Sequence, residues 1–343
     1  MSGPTMRAAV YRGARTVVVE EVAVPEVGPG EVLLEVSHCG ICGSDLHLMM
    51  EDWGRPGTIG GHEYSGVVVE VGADVDGWAP GDRAVGGPGP GCGTCRACRA
   101  GSPNLCATHP GPIMAGPGAF ASYKLLAADR LFRVPDGVDL RTAALTEPLA
   151  VAWRGVRKAG AVAGMRALVT GAGPIGLLTV AALRASGVTE VTVSEPEEGR
   201  RTLAQRIGAT EIVSPEDLEM PAMPMELVES PFDIAFDCSG RPDAMEAALN
   251  HLDRAGTLVL SGTGMRRPRF DANRIILNEL VVTGTVEYTP GDYESALELL
   301  ASGTLPTGAL IEPEDVPLDG VQRAMERLVA GELAGKVLVA PHA

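Results

Sequence analysis

Four cysteines, Cys92, Cys95, Cys98 and Cys106, fall within one short segment rich in proline and glycine. Two overlapping C-x-x-C steps fold three thiolates around a point, and Cys106 closes the set. Four thiolates suit a closed, tetrahedral Zn²⁺ site with no coordination position left for a substrate. Such a metal shapes a loop and does no chemistry. The competing reading is a disulfide pair or a redox C-x-x-C, which a chain without secretory context disfavours. Arg96 and Arg99, between the cysteines, offset part of the negative charge.

A second ligand set lies upstream, in Cys39-Gly-Ile-Cys42-Gly-Ser44-Asp45-Leu-His47 and Gly60-Gly-His62-Glu63. A thiolate, an imidazole and a carboxylate in neighbouring segments suit Zn²⁺ with an open position. That position can bind an alcohol oxygen and lower its pKa. The chain has six histidines, and two of them stand in these two motifs. Cys39 reads as a buried strand cysteine. For His47 the bland alternative is a surface histidine without a role.

The run Gly171-Ala-Gly173-Pro174-Ile175-Gly176 is a G-x-G-x-x-G that follows an apolar strand pattern and opens a helical one. That context makes it a dinucleotide site. Gly171 permits the tight turn, Gly173 lets the backbone approach a pyrophosphate, and Gly176 lets helix pack on strand. Glu195 follows Gly176 by 19 residues and can accept hydrogen bonds from both adenosine ribose hydroxyls. A 2′-phosphate would be repelled there, which favours NAD over NADP. The alternative makes Glu195 a solvated acid and gives a 2′-phosphate to Arg200 and Arg201.

The elements that must hold these residues differ between the two halves. Arg7–Tyr11, Thr16–Val22, Glu31–Ser37 and Gly66–Val71 read as strands separated by proline and glycine turns, a small antiparallel barrel or sandwich. From Arg166 apolar strands alternate with helical patterns, the sign of a doubly wound parallel sheet, so the fold class is α/β. Residues 214–231 read as an irregular insertion. The domain reading is 1–148, with the cysteine lobe at 88–110, then 149–288 for the nucleotide, then 289–343 returning to the first domain.

The 343 residues allow two domains with sizeable cores, and 45% of them are apolar. A net charge of −16 disfavours nonspecific binding to nucleic acid or anionic membrane. The first ten residues lack the apolar core of a signal peptide. The uncharged, apolar stretch Ala167–Leu183 is too short and glycine-rich for a comfortable membrane span. Seven cysteines without a disulfide context suggest a reducing, cytoplasmic compartment.

Taken in order, Cys42-Gly-Ser-Asp-Leu-His47, Gly61-His-Glu63, Gly81-Asp-Arg83, the four-cysteine lobe and the dinucleotide fingerprint resemble the zinc-containing medium-chain alcohol and polyol dehydrogenases, over nearly the whole chain. The resemblance implies a GroES-like β-barrel catalytic domain and a Rossmann cofactor domain. It implies NAD, two zinc ions, and a small alcohol or ketone substrate. It implies Cys42 and His62 as catalytic zinc ligands, with Glu63 at or just behind the metal. Thr146-Glu147-Pro-Leu149 is similar to the sorbitol, butanediol, glucose and threonine dehydrogenase branches, which makes Glu147 a further ligand or water-holding residue. Ser44 matches the hydroxyl that contacts the substrate oxygen, and His47 the histidine that passes its proton, by way of the nicotinamide ribose, to solvent. Relatives are homodimers or homotetramers, and Leu280–Thr285 is the pairing edge that the analogy implies.

Three departures bear on the substrate. The segment Leu48–Gly60 is shorter than in many relatives. Trp153-Arg154 stands where relatives carry an aliphatic residue and a histidine. Glu287 stands where sorbitol-type enzymes have an arginine, so it either faces solvent or favours a cationic amine. Trp53, Trp153 and Glu287 are the substrate candidates, with Met49 and Phe120 as further pocket candidates. Two readings compete with a dehydrogenase: an NADP-dependent aldehyde or ketone reductase on the same fold, and a zinc-stabilised nucleotide-binding protein without turnover.

Overall fold

The computed structural model describes residues 3–108 and 116–343; residues 109–110 of the expected cysteine lobe lie outside that range. Seven strands come first: β1 (Thr5–Gly13), β2 (Thr16–Ala23), β3 (Glu31–Gly40), β4 (Glu63–Val71), β5 (Arg83–Gly86), β6 (Tyr123–Ala127) and β7 (Leu131–Arg133). Then follow β8 (Arg166–Thr170), β9 (Glu190–Ser194), β10 (Glu211–Val213), β11 (Phe232–Asp237), β12 (Leu252–Leu260), β13 (Val281–Gly284) and, last, β14 (Leu338–Val339).

The chain divides into two units. The first comprises Met1–Glu147, Tyr288–Ser302 and Ile311–Ala343. In it β1 and β2 form an antiparallel hairpin, and a second antiparallel sheet runs β14-β3-β4-β5-β7, with β6 also paired to β3. The register sets Gly40 of β3 opposite Glu63 of β4 and, on its other side, opposite Leu338 of β14. Leu34, Val36, Met49, Phe120 and Met325 belong to its buried core. Met325 comes from the helix Val321–Val329, whose buried face is Val321, Ala324 and Met325 at helical spacing.

The second unit comprises Pro148–Glu287 and Gly303–Leu310. Its six strands run β10-β9-β8-β11-β12-β13, and every pairing is parallel. This is the doubly wound order, with the reversal between β8 and β11. β8 and β11 are buried nearly throughout, as strands covered on both faces must be. The helix Pro174–Ala185 starts directly after β8, with Gly173 as its cap and proline in the first turn, where a missing N–H costs nothing.

The strands and helices read from Arg166 to Asn250 are present within a residue or two. The sequence reading missed β6, β7 and the helices Thr146–Ala159, Ala272–Leu277 and Val321–Val329. The stretch 214–231 holds one short turn of 3-10 helix, Pro215–Asp217, and is otherwise irregular.

Candidate active site

Cys42 caps the helix Gly43–Met50, just beyond the end of β3, and Glu63 begins β4 opposite Gly40. A Cβ on Gly40 would sit 2.0 Å from Glu63 Oε2, so glycine is what lets that carboxylate fold over β3. The ligand atoms of Cys42, His62 and Glu63 all lie within 4.8 Å of one another. Asp45, 1% exposed, ties the segments together. One of its oxygens accepts the Cys42 N–H at 3.0 Å; the other accepts the Gly61 N–H at 3.0 Å and lies 3.8 Å from His62 Nδ1. A carboxylate behind a histidine fixes its ring and tautomer for a metal.

The charges around this cluster are buried. Lys336 Nζ donates to Glu63 Oε1 at 2.7 Å and to the Ile41 carbonyl at 3.2 Å. Burial opposes the charge on Lys336, but Glu63, Cys42 and Glu147 together outweigh it and raise the pKa. Burial likewise opposes protonation of His62, yet Asp45, Cys42 and Glu147 raise its pKa well above the ordinary value. Glu147 is pushed up to about 7, first by burial; His62 pulls it down and Glu63 pushes it up, while the Tyr288 hydroxyl hydrogen-bonds it. Glu147 lies outside the 4.8 Å set, so three side chains converge and Glu147 acts on them through its charge.

Two buried oxygens here have no protein partner: Glu63 Oε2 and Ser44 Oγ. A buried acceptor left unpaired is costly unless something else meets it. A soft thiolate, an imidazole and a carboxylate oxygen are a zinc donor set, and the free Glu63 oxygen fits a cation. The donors therefore fit a zinc ion.

The four-cysteine lobe also converges, with all four sulfurs within 4.8 Å of one another. Backbone N–H groups point at them: Cys95 N to Cys92 Sγ at 3.3 Å, Cys98 N to Cys95 Sγ at 3.4 Å, and Cys92 N to Cys106 Sγ at 3.4 Å. The Thr94 hydroxyl, with the N–H groups of Cys95 and Thr94, lowers the Cys92 pKa to about 5. N–H groups aimed at sulfur favour thiolates, and four thiolates fit a closed zinc site.

In the second unit Gly171 has φ +92°, and a Cβ on Gly176 would lie 1.9 Å from the Gly171 carbonyl oxygen. The fingerprint therefore needs glycine at both places. Glu195, 3% exposed, accepts the Ala172 N–H at 2.7 Å and the Glu197 N–H at 3.0 Å. Ala172 is inside the fingerprint, so the acid and the phosphate loop are joined directly. Arg201, in the helix Glu198–Ile207, donates to the carbonyls of Glu195 at 3.0 Å and Pro196 at 2.6 Å, and Arg200 is half-buried beside it in the first turn.

The substrate candidates separate. Trp53 is half exposed and stacks on His47. Trp153 is partly buried, with its indole N–H unpartnered. Glu287 is partly buried at φ +51° and engaged with a partner. Met49 and Phe120 are not pocket residues: both are fully buried in the core of the first unit, where Phe120 packs against Gly60 and Gly61. Lys336 and Tyr288 were missed. Lys336 follows Glu63 by 273 residues, and no local pattern links them.

The family model described as the alcohol dehydrogenase GroES-like domain matches residues 28–136, and the one described as zinc-binding dehydrogenase matches 174–302. L-Threonine 3-dehydrogenase of Pyrococcus furiosus is 36% identical over 326 residues, covering 93% of each chain. Among solved structures, a zinc-binding dehydrogenase of Sinorhizobium meliloti bound to NADP is 31% identical with a TM-score of 0.88, over 98% of this chain and 100% of that one. The 2R,3R-butanediol dehydrogenase of Bacillus subtilis is 30% identical with a TM-score of 0.86, over 98% and 99%.

Proposed function

The chain belongs to the zinc-binding medium-chain alcohol dehydrogenase family, and on that premise we propose that it oxidises a secondary alcohol, diol or polyol reversibly, with NAD as the hydride acceptor. The observation that carries this reading is the unpartnered buried hydroxyl of Ser44, two residues beyond Cys42, which is itself one of a three-residue zinc donor set. When bound, zinc would polarise the alcohol oxygen and NAD would take the hydride. Cys42 and His62 hold the metal, and Asp45 keeps His62 in the metal-binding tautomer. Glu63 is the third donor and Lys336 holds it, while Glu147 balances charge beside it. Ser44 Oγ takes the substrate proton, and His47 delivers it to water. The four cysteines fix the lobe around a second zinc.

Glu195 supports NAD over NADP. Its carboxylate is fixed at the end of β9, where a 2′-phosphate would meet negative charge, and the Arg201 guanidinium is already engaged by two carbonyls. We also propose a homo-oligomer, in the cytoplasm. The outer strand of the second unit, β13, has Val281 50% exposed, and Ile276 and Leu277 just before it are 68% and 51% exposed. An open apolar edge of that kind is normally covered. No helix among the described residues is long and apolar enough to cross a membrane.

The test is turnover of the zinc-loaded protein on a panel of secondary alcohols, diols, polyols and amino alcohols with NAD⁺ or NADP⁺. NAD⁺ reduction that disappears in Cys42→Ala, with Glu195→Ala losing at least tenfold of its preference for NAD⁺, is the expected result. An unchanged preference in Glu195→Ala overturns the cofactor assignment. No turnover with zinc and NAD⁺ both bound overturns the enzyme.

A further inference from the structure

His47 stands in the last turn of the helix Gly43–Met50, and the chain just beyond it folds back over its ring. Trp53 N–H donates to the His47 carbonyl at 3.3 Å. The indole stacks on the imidazole, with ring centroids 4.9 Å apart and planes 13° apart. Glu51 Oε2 lies 3.0 Å from His47 Nδ1. That nitrogen is sealed from water, and its angle to Glu51 falls short of a formed hydrogen bond. A small turn of either side chain would make one.

The fold-back is built. Asp52 has φ +60°, a left-handed conformation that is uncommon without glycine and costs about 1 kcal/mol or more. Its carboxylate is clamped by the Tyr11 hydroxyl and by the Arg15 N–H at 3.0 Å, and Tyr11 is itself 1% exposed in β1. The corner is thus pinned to the first hairpin. Trp53 remains 50% exposed, so its own burial is not what the corner achieves. What it achieves is a cover on one face of His47 and a carboxylate at one nitrogen.

We propose that Glu51 and Trp53 are positioning residues for His47, Glu51 holding its Nδ1–H tautomer and Trp53 fixing its ring plane. The proposal rests on the proton path described above. The alcohol O–H bond breaks, and its proton passes through Ser44 and reaches His47 at Nε2, the nitrogen left free by Glu51. The imidazolium then releases one proton to water or a buffer base, and Glu51 stays ionised throughout. This is the part the acid plays beside histidine in a catalytic triad. The indole face also favours the cationic ring.

Three of the other charges on the elements packed against this helix are engaged elsewhere. The helix packs against β2, which carries Glu20 and Glu21, and against Val321–Val329, which carries Arg323, Glu326 and Arg327. Glu20 pairs with Arg12, Glu326 accepts from Gln322, and Arg327 pairs with Glu332.

The experiment uses zinc-loaded full-length protein and two readouts. The first is the ¹⁵N spectrum of His47 without substrate, assigned with His47→Asn. It should show the Nδ1–H tautomer, and Glu51→Gln should weaken that tautomer preference measurably. The second is the single-turnover rate of nicotinamide reduction against pH. Glu51→Gln should lower it about 3–10-fold on the acid side with KM within twofold, and added imidazole should restore it. Trp53→Leu should lower it similarly, and Trp53→Phe, which keeps a stacking ring, should recover most of that loss. An unchanged tautomer balance in Glu51→Gln overturns the proposal. A shifted tautomer balance with turnover unaltered in both Glu51→Gln and His47→Asn overturns the proton path, and the catalytic part of the proposal with it. Loss of turnover in His47→Asn alone keeps the path and overturns the role of Glu51 and Trp53.

Discussion

Lys124 is a residue whose charge the fold resists. It lies in β6, 8% exposed, beside a cavity of about 180 Å³ that Tyr64 and Arg130 also line. Its ammonium donates to the Pro117 carbonyl, yet burial, helped by Arg130, pulls its pKa from 10.5 down to about 8. A lysine depressed in the folded state costs stability wherever both states are protonated, which is below pH 8. The cost fades between 8 and 10.5 and is gone above. Lys124→Met should therefore stabilise the protein by about 1–3 kcal/mol at pH 7, and by less at pH 9.5. Urea midpoints at the two pH values check this, and an equal gain at both would refute it. At this scale the sequence was legible wherever a motif is short. Cys42, His62, Glu63 and the four cysteines converge as their spacing implied, because neighbours in sequence are delivered together by one strand end or one loop. Lys124 and Lys336 were not legible, because their surroundings come from distant strands.

The irregular insertion shows how an element without secondary structure is held. Arg274, from the helix Ala272–Leu277, is 1% exposed. Its guanidinium donates to the carbonyls of Pro224 at 3.2 Å, Asn250 at 2.8 Å and Leu252 at 2.9 Å, and to that of Glu226. Asn278 adds a second donor to Pro224 at 2.8 Å. Arg274→Ala should cost about 2–4 kcal/mol, since several buried carbonyls lose their donor. Hydrogen exchange should rise first in residues 219–229 and around Leu252; uniform exchange across the second unit would contradict a local clamp. The alternation of strand and helix after Arg166 was readable because each parallel strand is a short apolar run that ends at a helix start. β6 and β7, of five and three residues like β8 and β10, were not, since no regular alternation with helices marks where they begin and end. The helix Thr146–Ala159 escaped because Pro148 stands in its first turn, a place where proline breaks nothing.

At the scale of the molecule, the open edge of β13 makes a definite demand. Val281→Lys, with Leu277→Lys on the preceding helix, should convert an oligomer to monomers with the fold intact, read by sedimentation and circular dichroism. A native monomer, or an unaltered oligomer in the double variant, would remove that surface from the assembly. The first unit was the harder one to read, because it is made of three separate stretches of chain. β14 completes its sheet against Cys39 and Gly40, and Lys336 supplies the ammonium that Glu63 requires 273 residues earlier. A ribosome making this chain must therefore finish the entire second unit before the first can close. Through that interval the thiol and carboxylates near β3 are exposed on an unsealed sheet, without their counter-charge. The order of synthesis thus makes the nucleotide-binding half the first to fold, and the metal-binding half the last to mature.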